Sequence, residues 1–201
     1  MPMRRRPVPP VSAVLVALAA ALVAGSCATT GDRVAILGDS ITALGELRLR
    51  ETLGGSHDLT IDGKFGARTD QRIQAATNPH QVIINLGTND VLQGRPTAEV
   101  AKYLELLLGV YRGASCVFLV TINTHLDQNG NRPEQAAKDL NAQMEQLTKQ
   151  DRRGELIRWD EMQDAAVDEQ HPQGLTTDGV HPGDEGQQEL AGAYADALAG
   201  C

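Results

Sequence analysis

From residue 34 onward the hydrophobic positions follow two patterns that take turns along the chain. Val34 to Leu37, Val82 to Leu86 (interrupted by Asn85) and Cys116 to Ile122 are short, nearly continuous apolar runs. Runs of this length between turn residues predict strands buried on both faces. Leu59-Thr60-Ile61 predicts a weak second strand, and Leu156-Ile157-Arg158-Trp159 a last one. Between the strands, apolar residues recur at helical spacing over Leu44 to Leu53, Ala98 to Tyr111, Pro133 to Gln150, Glu161 to Gln170 and Gly186 to Leu198. Pro96 and Thr97 supply the start signal for the second of these helices. Strands alternating with helices predict an α/β protein, a three-layer α/β/α sandwich around a parallel sheet of about five strands. In such a sheet the loops that follow the strands share its carboxyl edge, where open α/β sheets bind their ligands. Residues far apart in sequence are thereby predicted to meet on one rim.

Three loops on that rim carry small, polar or acidic residues. They are Gly38-Asp39-Ser40 after the first strand, Gly87-Thr88-Asn89-Asp90 after the third, and Asp178-Gly179-Val180-His181-Pro182 near the C-terminus. A fourth segment, Gly63 to Thr69, follows the weak second strand. Each has a plain reading as turn and cap residues. Together they hold what acyl transfer needs: a nucleophile, a base, a group that orients the base, and donors for the carbonyl oxygen as it becomes negative. Ser40 can attack, His181 can take its proton, and Asp178 can turn back to the other imidazole nitrogen. The Asn89 side-chain amide and the backbone N–H groups of Ser40 and Gly66 can form the oxyanion hole. Gly66 suits that role because a missing side chain lets substrate approach the backbone. Asp39 reads as structural, holding its loop through the carboxylate.

A second Asp-x-x-His-Pro segment, Asp168 to Pro172, competes for the role of base. Its Asp168 and His171 fall at the end of the predicted helix over 161–170, where an acid and a histidine three apart are ordinary neighbours on a solvated face. Asp178 and His181 instead flank Gly179 in a loop, which favours them. The histidines lack metal-ligand spacing, no Cys-x-x-Cys or His-Glu-x-x-His is present, and a Ser-His-Asp mechanism needs no cofactor.

With those residues in place the chain resembles the SGNH hydrolases, the GDSL-type esterases and lipases. Gly38-Asp39-Ser40, Gly66, Gly87-Thr88-Asn89-Asp90 and Asp178-Gly179-Val180-His181 stand in the family's order over about residues 33–200. The resemblance implies a flavodoxin-like fold, Ser40 as nucleophile, Gly66 and Asn89 as oxyanion donors, and Asp178 with His181 as acid and base. Gly66 is the loosest match, and the first block continues Ile41-Thr42 where Leu-Thr is commoner. An acyltransferase using the same residues, or a surface lipoprotein keeping the fold as a binding module, are the rival readings. The segments Val91 to Thr97 and Thr124 to Arg132 are candidates to select substrate. Both are short and polar, so a shallow, open site is expected, suited to short acyl groups or acyl groups on an envelope polymer.

The N-terminus adds an address. Arg4-Arg5-Arg6, the apolar stretch Val11 to Ala24 and Gly25-Ser26-Cys27 read as an export signal over residues 1–26, too short an apolar run for a comfortable membrane span. Ala24-Gly25-Ser26-Cys27 also resembles a bacterial lipobox, which implies a lipid anchor on Cys27 as the only membrane attachment, with plain secretion as the alternative. Residues 33–201 then form a single domain. Without residues 1–26 the chain loses three of its 18 basic residues and none of its 26 acidic ones, so 15 stand against 26 and the formal charge is −11. Such a body repels phosphate backbones, and nucleic acid is excluded as an expected partner. Of the three cysteines, lipidation of Cys27 would leave Cys116 and Cys201 as a pair. Cys116 opens a strand at the edge opposite the rim, and a closing helix of about 15 residues, about 20 Å long, can bring Cys201 back to that edge. The alternative is that Cys116 is a small buried residue and nothing more.

Overall fold

The structure, a computed structural model, describes residues 31–74 and 78–201. The export segment over residues 1–26 and Cys27 lie outside the described residues. Five strands, β1 (Asp32–Gly38), β2 (His57–Gly63), β3 (Gln81–Asn85), β4 (Cys116–Val120) and β5 (Gly154–Ile157), form one sheet in the order β2-β1-β3-β4-β5. Every pairing in it is parallel. Among the described residues six α-helices accompany it: α1 (Ser40–Leu53), α2 (Thr88–Leu92), α3 (Thr97–Val110), α4 (Glu134–Gln150), α5 (Trp159–Ala166) and α6 (Asp184–Gly200).

Because side chains alternate across a strand, the apolar runs feed two cores. Ala35, Leu37, Val82, Ile84, Val117 and Leu119 face one side, where α3 and α4 contribute Leu104, Leu107, Leu140 and Met144. Val34, Ile36, Ile83, Phe118 and Val120 face the other and meet Leu49 and Leu53 of α1 and Leu190 and Tyr194 of α6. The strands covered on both faces are β1, β3 and β4, which carry the continuous apolar runs. β2, at the sheet's edge, alternates half-buried with exposed residues along all seven positions.

Several boundaries differ from those the sequence predicts. β2 is seven residues long, not three, because backbone pairing to β1 carries it past its few apolar residues. The last strand ends at Ile157, and Trp159 opens α5 instead, burying its ring in the second core. The Asn89 loop contains α2, a helix of five residues too short to leave a periodic signal. α5 stops at Ala166, so Asp168 and His171 are in a loop and not on a helix. At the sheet's amino edge Cys116 is joined to Cys201 by a disulfide, with a Cα–Cα distance of 6.2 Å.

Candidate active site

β1 ends at Gly38, and Asp39 caps the helix that follows: its Oδ1 accepts the Ile41 backbone N–H at 2.9 Å. This makes Ser40 the first residue of α1. Its own N–H belongs to the first turn, where helix geometry supplies no backbone acceptor. The Ser40 Oγ stands 2.9 Å from His181 Nε2. His181 Nδ1 lies 2.7 Å from Asp178 Oδ2, which selects the tautomer carrying its proton on Nδ1 and leaves Nε2 free to accept from the serine. The other carboxylate oxygen, Asp178 Oδ1, accepts the backbone N–H groups of Val180 at 3.0 Å and His181 at 2.7 Å. Burial works against the Asp178 charge, but the bonds from His181 and from the two backbone groups outweigh it and hold the carboxyl below its usual range.

The turn that carries Asp178 and His181 is braced from two sides. Thr177 N–H donates to His181 O at 2.9 Å, and Gly183 N–H to Leu175 O at 2.9 Å, just before α6 begins. Gly179 has φ +78° and lies so close to the loop after β4 that a Cβ there would stand 2.4 Å from Asp127 O. Asp127 N–H in turn donates to Gly179 O at 3.1 Å. Only glycine meets both conditions without strain.

The Asn89 side chain comes from the first turn of α2. Its Nδ2 is 3.1 Å from Asp39 Oδ2 and 3.1 Å from Ala67 O, so both amide hydrogens have acceptors. Gly66, with φ +67°, precedes Ala67 in the loop after β2, and a Cβ added there would meet nothing within 4 Å, so its backbone is approachable. Asp39, Ser40, Asn89 and Gly66 are therefore brought together, while Asp178 and His181 reach Ser40 from the C-terminal loop. Asp39 is fully buried, and that burial raises its pKa to about 6, against the bonds from Ile41 and Asn89 and the charge of His181.

Two residues to which sequence reasoning assigned no role shape this rim. Asp90, beside Asn89, is fully buried, and its Oδ2 accepts both the Thr69 N–H at 2.9 Å and the Thr69 hydroxyl at 2.8 Å. This bond pair fastens the Gly66–Thr69 loop to α2. Val91 and Leu92, expected in a substrate loop, belong instead to α2, and Val91 is in the core.

The competing Asp168–His171 pair is corrected in one respect. It forms the same kind of turn, not a helix end: Asp168 Oδ1 accepts the backbone N–H groups of Gln170 at 2.8 Å and His171 at 2.6 Å and lies 3.1 Å from His171 Nδ1. What separates the two is location. The His171 side chain is 69% exposed and touches no serine, whereas that of His181 is 27% exposed and closes on Ser40.

Fold and site together define a parallel-sheet α/β protein that presents a serine, an imidazole and a carboxylate in hydrogen-bonded series at the sheet's carboxyl edge. A family model for the GDSL-like lipase/acylhydrolase family matches residues 36–189. The chain belongs to that family and is an esterase of the SGNH type. Its fold is similar to that of a GDSL-like lipase from Bacteroides thetaiotaomicron, with a TM-score of 0.71 and 22% identity over 84% of this chain and 88% of the other. A lipolytic G-D-S-L family protein from Veillonella parvula gives 0.70 and 18%, over 83% and 98%. An acetylxylan esterase, Axe2 from Geobacillus stearothermophilus, gives 0.68 and 17%, over 84% and 94%. No curated protein matches the sequence.

Proposed function

We propose that this protein hydrolyses short acyl esters through an acyl-enzyme on Ser40. The observation that carries the reading is the series Ser40 Oγ, His181 Nε2, His181 Nδ1, Asp178 Oδ2, with spacings of 2.9 and 2.7 Å. His181 takes the serine proton as Oγ attacks the ester carbonyl carbon, and Asp178 stabilises the imidazolium that results. The oxyanion is met by the N–H groups of Ser40 and Gly66 and by Asn89, whose amide trades its bond to Ala67 O for the substrate while Asp39 keeps the other. The imidazolium then gives its proton to the departing alcohol, and water repeats the sequence to release the acid. The acetylxylan esterase among the similar folds and the shortness of the rim loops support a small acyl group, on a free ester or on an envelope polymer. The N-terminal residues support export, with Cys27 as lipid anchor.

The test is a panel of chromogenic esters from acetyl to palmitoyl, with and without an acceptor alcohol, on wild type and Ser40→Ala. The expected result is hydrolysis favouring acetyl and butyryl esters, and a kcat about 10³-fold lower or more in the variant. A fluorophosphonate adduct on another serine would overturn the assignment, and product transferred to the alcohol in preference to water would make the protein an acyltransferase.

A further inference from the structure

The loop after β4, the start of α4 and Pro172–Gln173 line an open cavity of about 360 Å³, within the range of small-molecule sites. Its lining includes Thr124, His125, Asp127, Arg132, Glu134 and Gln173. It adjoins the chemistry through Asp127, which is one wall of the cavity and also the residue bonded to Gly179 between Asp178 and His181. The cavity therefore lies along the His181 side of the site, toward β4 and β5. Ser40, Asn89 and Gly66 follow the other three strands.

We infer that this cavity is the subsite for the alcohol portion of the substrate, and that it takes a neutral, polyhydroxylated alcohol such as a sugar ring; the inference rests on the esterase reading above. Two arguments carry it. The first is directional: the alcohol oxygen must receive its proton from His181 Nε2, so the leaving group lies on the imidazole's side and the oxyanion on the opposite one. The second is chemical. Each carboxylate and the guanidinium of the lining already has its counter-charge, Asp127 with Arg132 at 2.6 Å and Glu134 with Lys138 at 2.5 Å, and His125 Nε2 is 2.7 Å from Asp164 Oδ1. An ionic ligand finds no unbalanced partner there. Carboxylates have lone pairs beyond those used in one ion pair, and guanidinium has further N–H groups, so the same lining offers acceptors and donors in alternation to hydroxyl groups. No Phe, Tyr or Trp lines the cavity, so hydrogen bonds and not ring stacking give the recognition. The second Asp-x-x-His-Pro segment, idle in the acyl transfer, acquires a structural purpose here, since its turn sets Pro172 and Gln173 as the outer wall.

The experiment compares acetate release from a mono-O-acetyl methyl hexoside and from ethyl acetate, whose alcohol is too small to fill the cavity. Gln173→Trp places a ring over the cavity mouth, and Glu134→Ala removes an acceptor; both positions are exposed, so the fold tolerates them. The expected result is that the ratio of kcat/KM for the acetyl hexoside to that for ethyl acetate falls about 10-fold in Gln173→Trp and several-fold in Glu134→Ala, through KM. Methyl hexoside should also inhibit wild type competitively and lose that inhibition in Gln173→Trp. An unchanged ratio in both variants overturns the inference. Should wild type hydrolyse neither ester, the esterase reading fails separately. The cavity is then judged by NMR titration with methyl hexoside, where binding that Gln173→Trp abolishes sustains the inference and absence of binding overturns it.

Discussion

Asp39 ties two parts of the site through one buried carboxylate, capping α1 beneath Ser40 with one oxygen and holding the Asn89 amide with the other. Asn in its place can still cap the helix, but its own amide then faces the Asn89 amide, donor against donor. Asp39→Asn is expected to lower kcat 10- to 100-fold with little change in KM, approaching the cost of losing one oxyanion donor. It also carries a stability signature. With a folded pKa near 6 against an ordinary 3.8, the folded state holds a proton that the unfolded state has released. Stability from this group is therefore present below about pH 4 and is lost as pH rises through 6, on the order of 3 kcal/mol. Denaturant midpoints measured from pH 4 to 7 should fall more for wild type than for Asp39→Asn, and parallel curves would refute the assignment. The two histidines are separated in the same way: His181→Ala should match the loss in Ser40→Ala, while His171→Ala stays within a few-fold of wild type in ester hydrolysis. The residues themselves were legible because four small motifs fell in order behind apolar strands. Asp90 and Thr69 were not, since a bond across 21 positions between a loop and α2 leaves no local pattern.

Among the elements, β3 and β4 could be read directly from their apolar runs, because both faces of a central parallel strand are dry. β2 was half legible, its edge position exposing every second side chain, and α2 was hidden by its length. At 168–171 the structure has a turn where the pattern predicts a helix end, because an Asp and a His three apart look alike on a helix and in a turn that the Asp side chain closes on its own backbone. The loop after β4 bears on the C-terminal loop at Gly179, and that contact admits no side chain. Gly179→Ala pays twice, once for a positive φ and once for backbone crowding against Asp127. It is expected to lower thermal stability by about 2 kcal/mol or more and kcat at least 10-fold. Calorimetry and ester hydrolysis on the same preparation check it, and a variant with normal activity would show that the two loops are not coupled.

For the molecule as a whole, the sheet divides labour between its edges: chemistry at the carboxyl edge, a covalent staple at the amino edge. The Cys116–Cys201 bond closes a loop of 85 residues, which in a chain-entropy account stabilises the fold by about 4–5 kcal/mol. Cys201→Ser is expected to lower Tm by about 10 °C while leaving ester hydrolysis at 25 °C within two-fold, because the bond lies across the sheet from Ser40. A Tm unchanged by the substitution, or peptide mapping with both thiols free, would remove the staple from the account. Chain order has a further consequence, one of timing. Ser40 arrives with the first strand and helix, yet its imidazole partner follows the fifth strand and fifth helix, three positions ahead of α6. On the proposed mechanism the serine lacks its base during synthesis until the chain beyond α5 has set His181 beside it. The rate at which a fluorophosphonate captures Ser40 is therefore expected to be a clock for the arrival of the His181 loop, readable beside the signals of the sheet and helices.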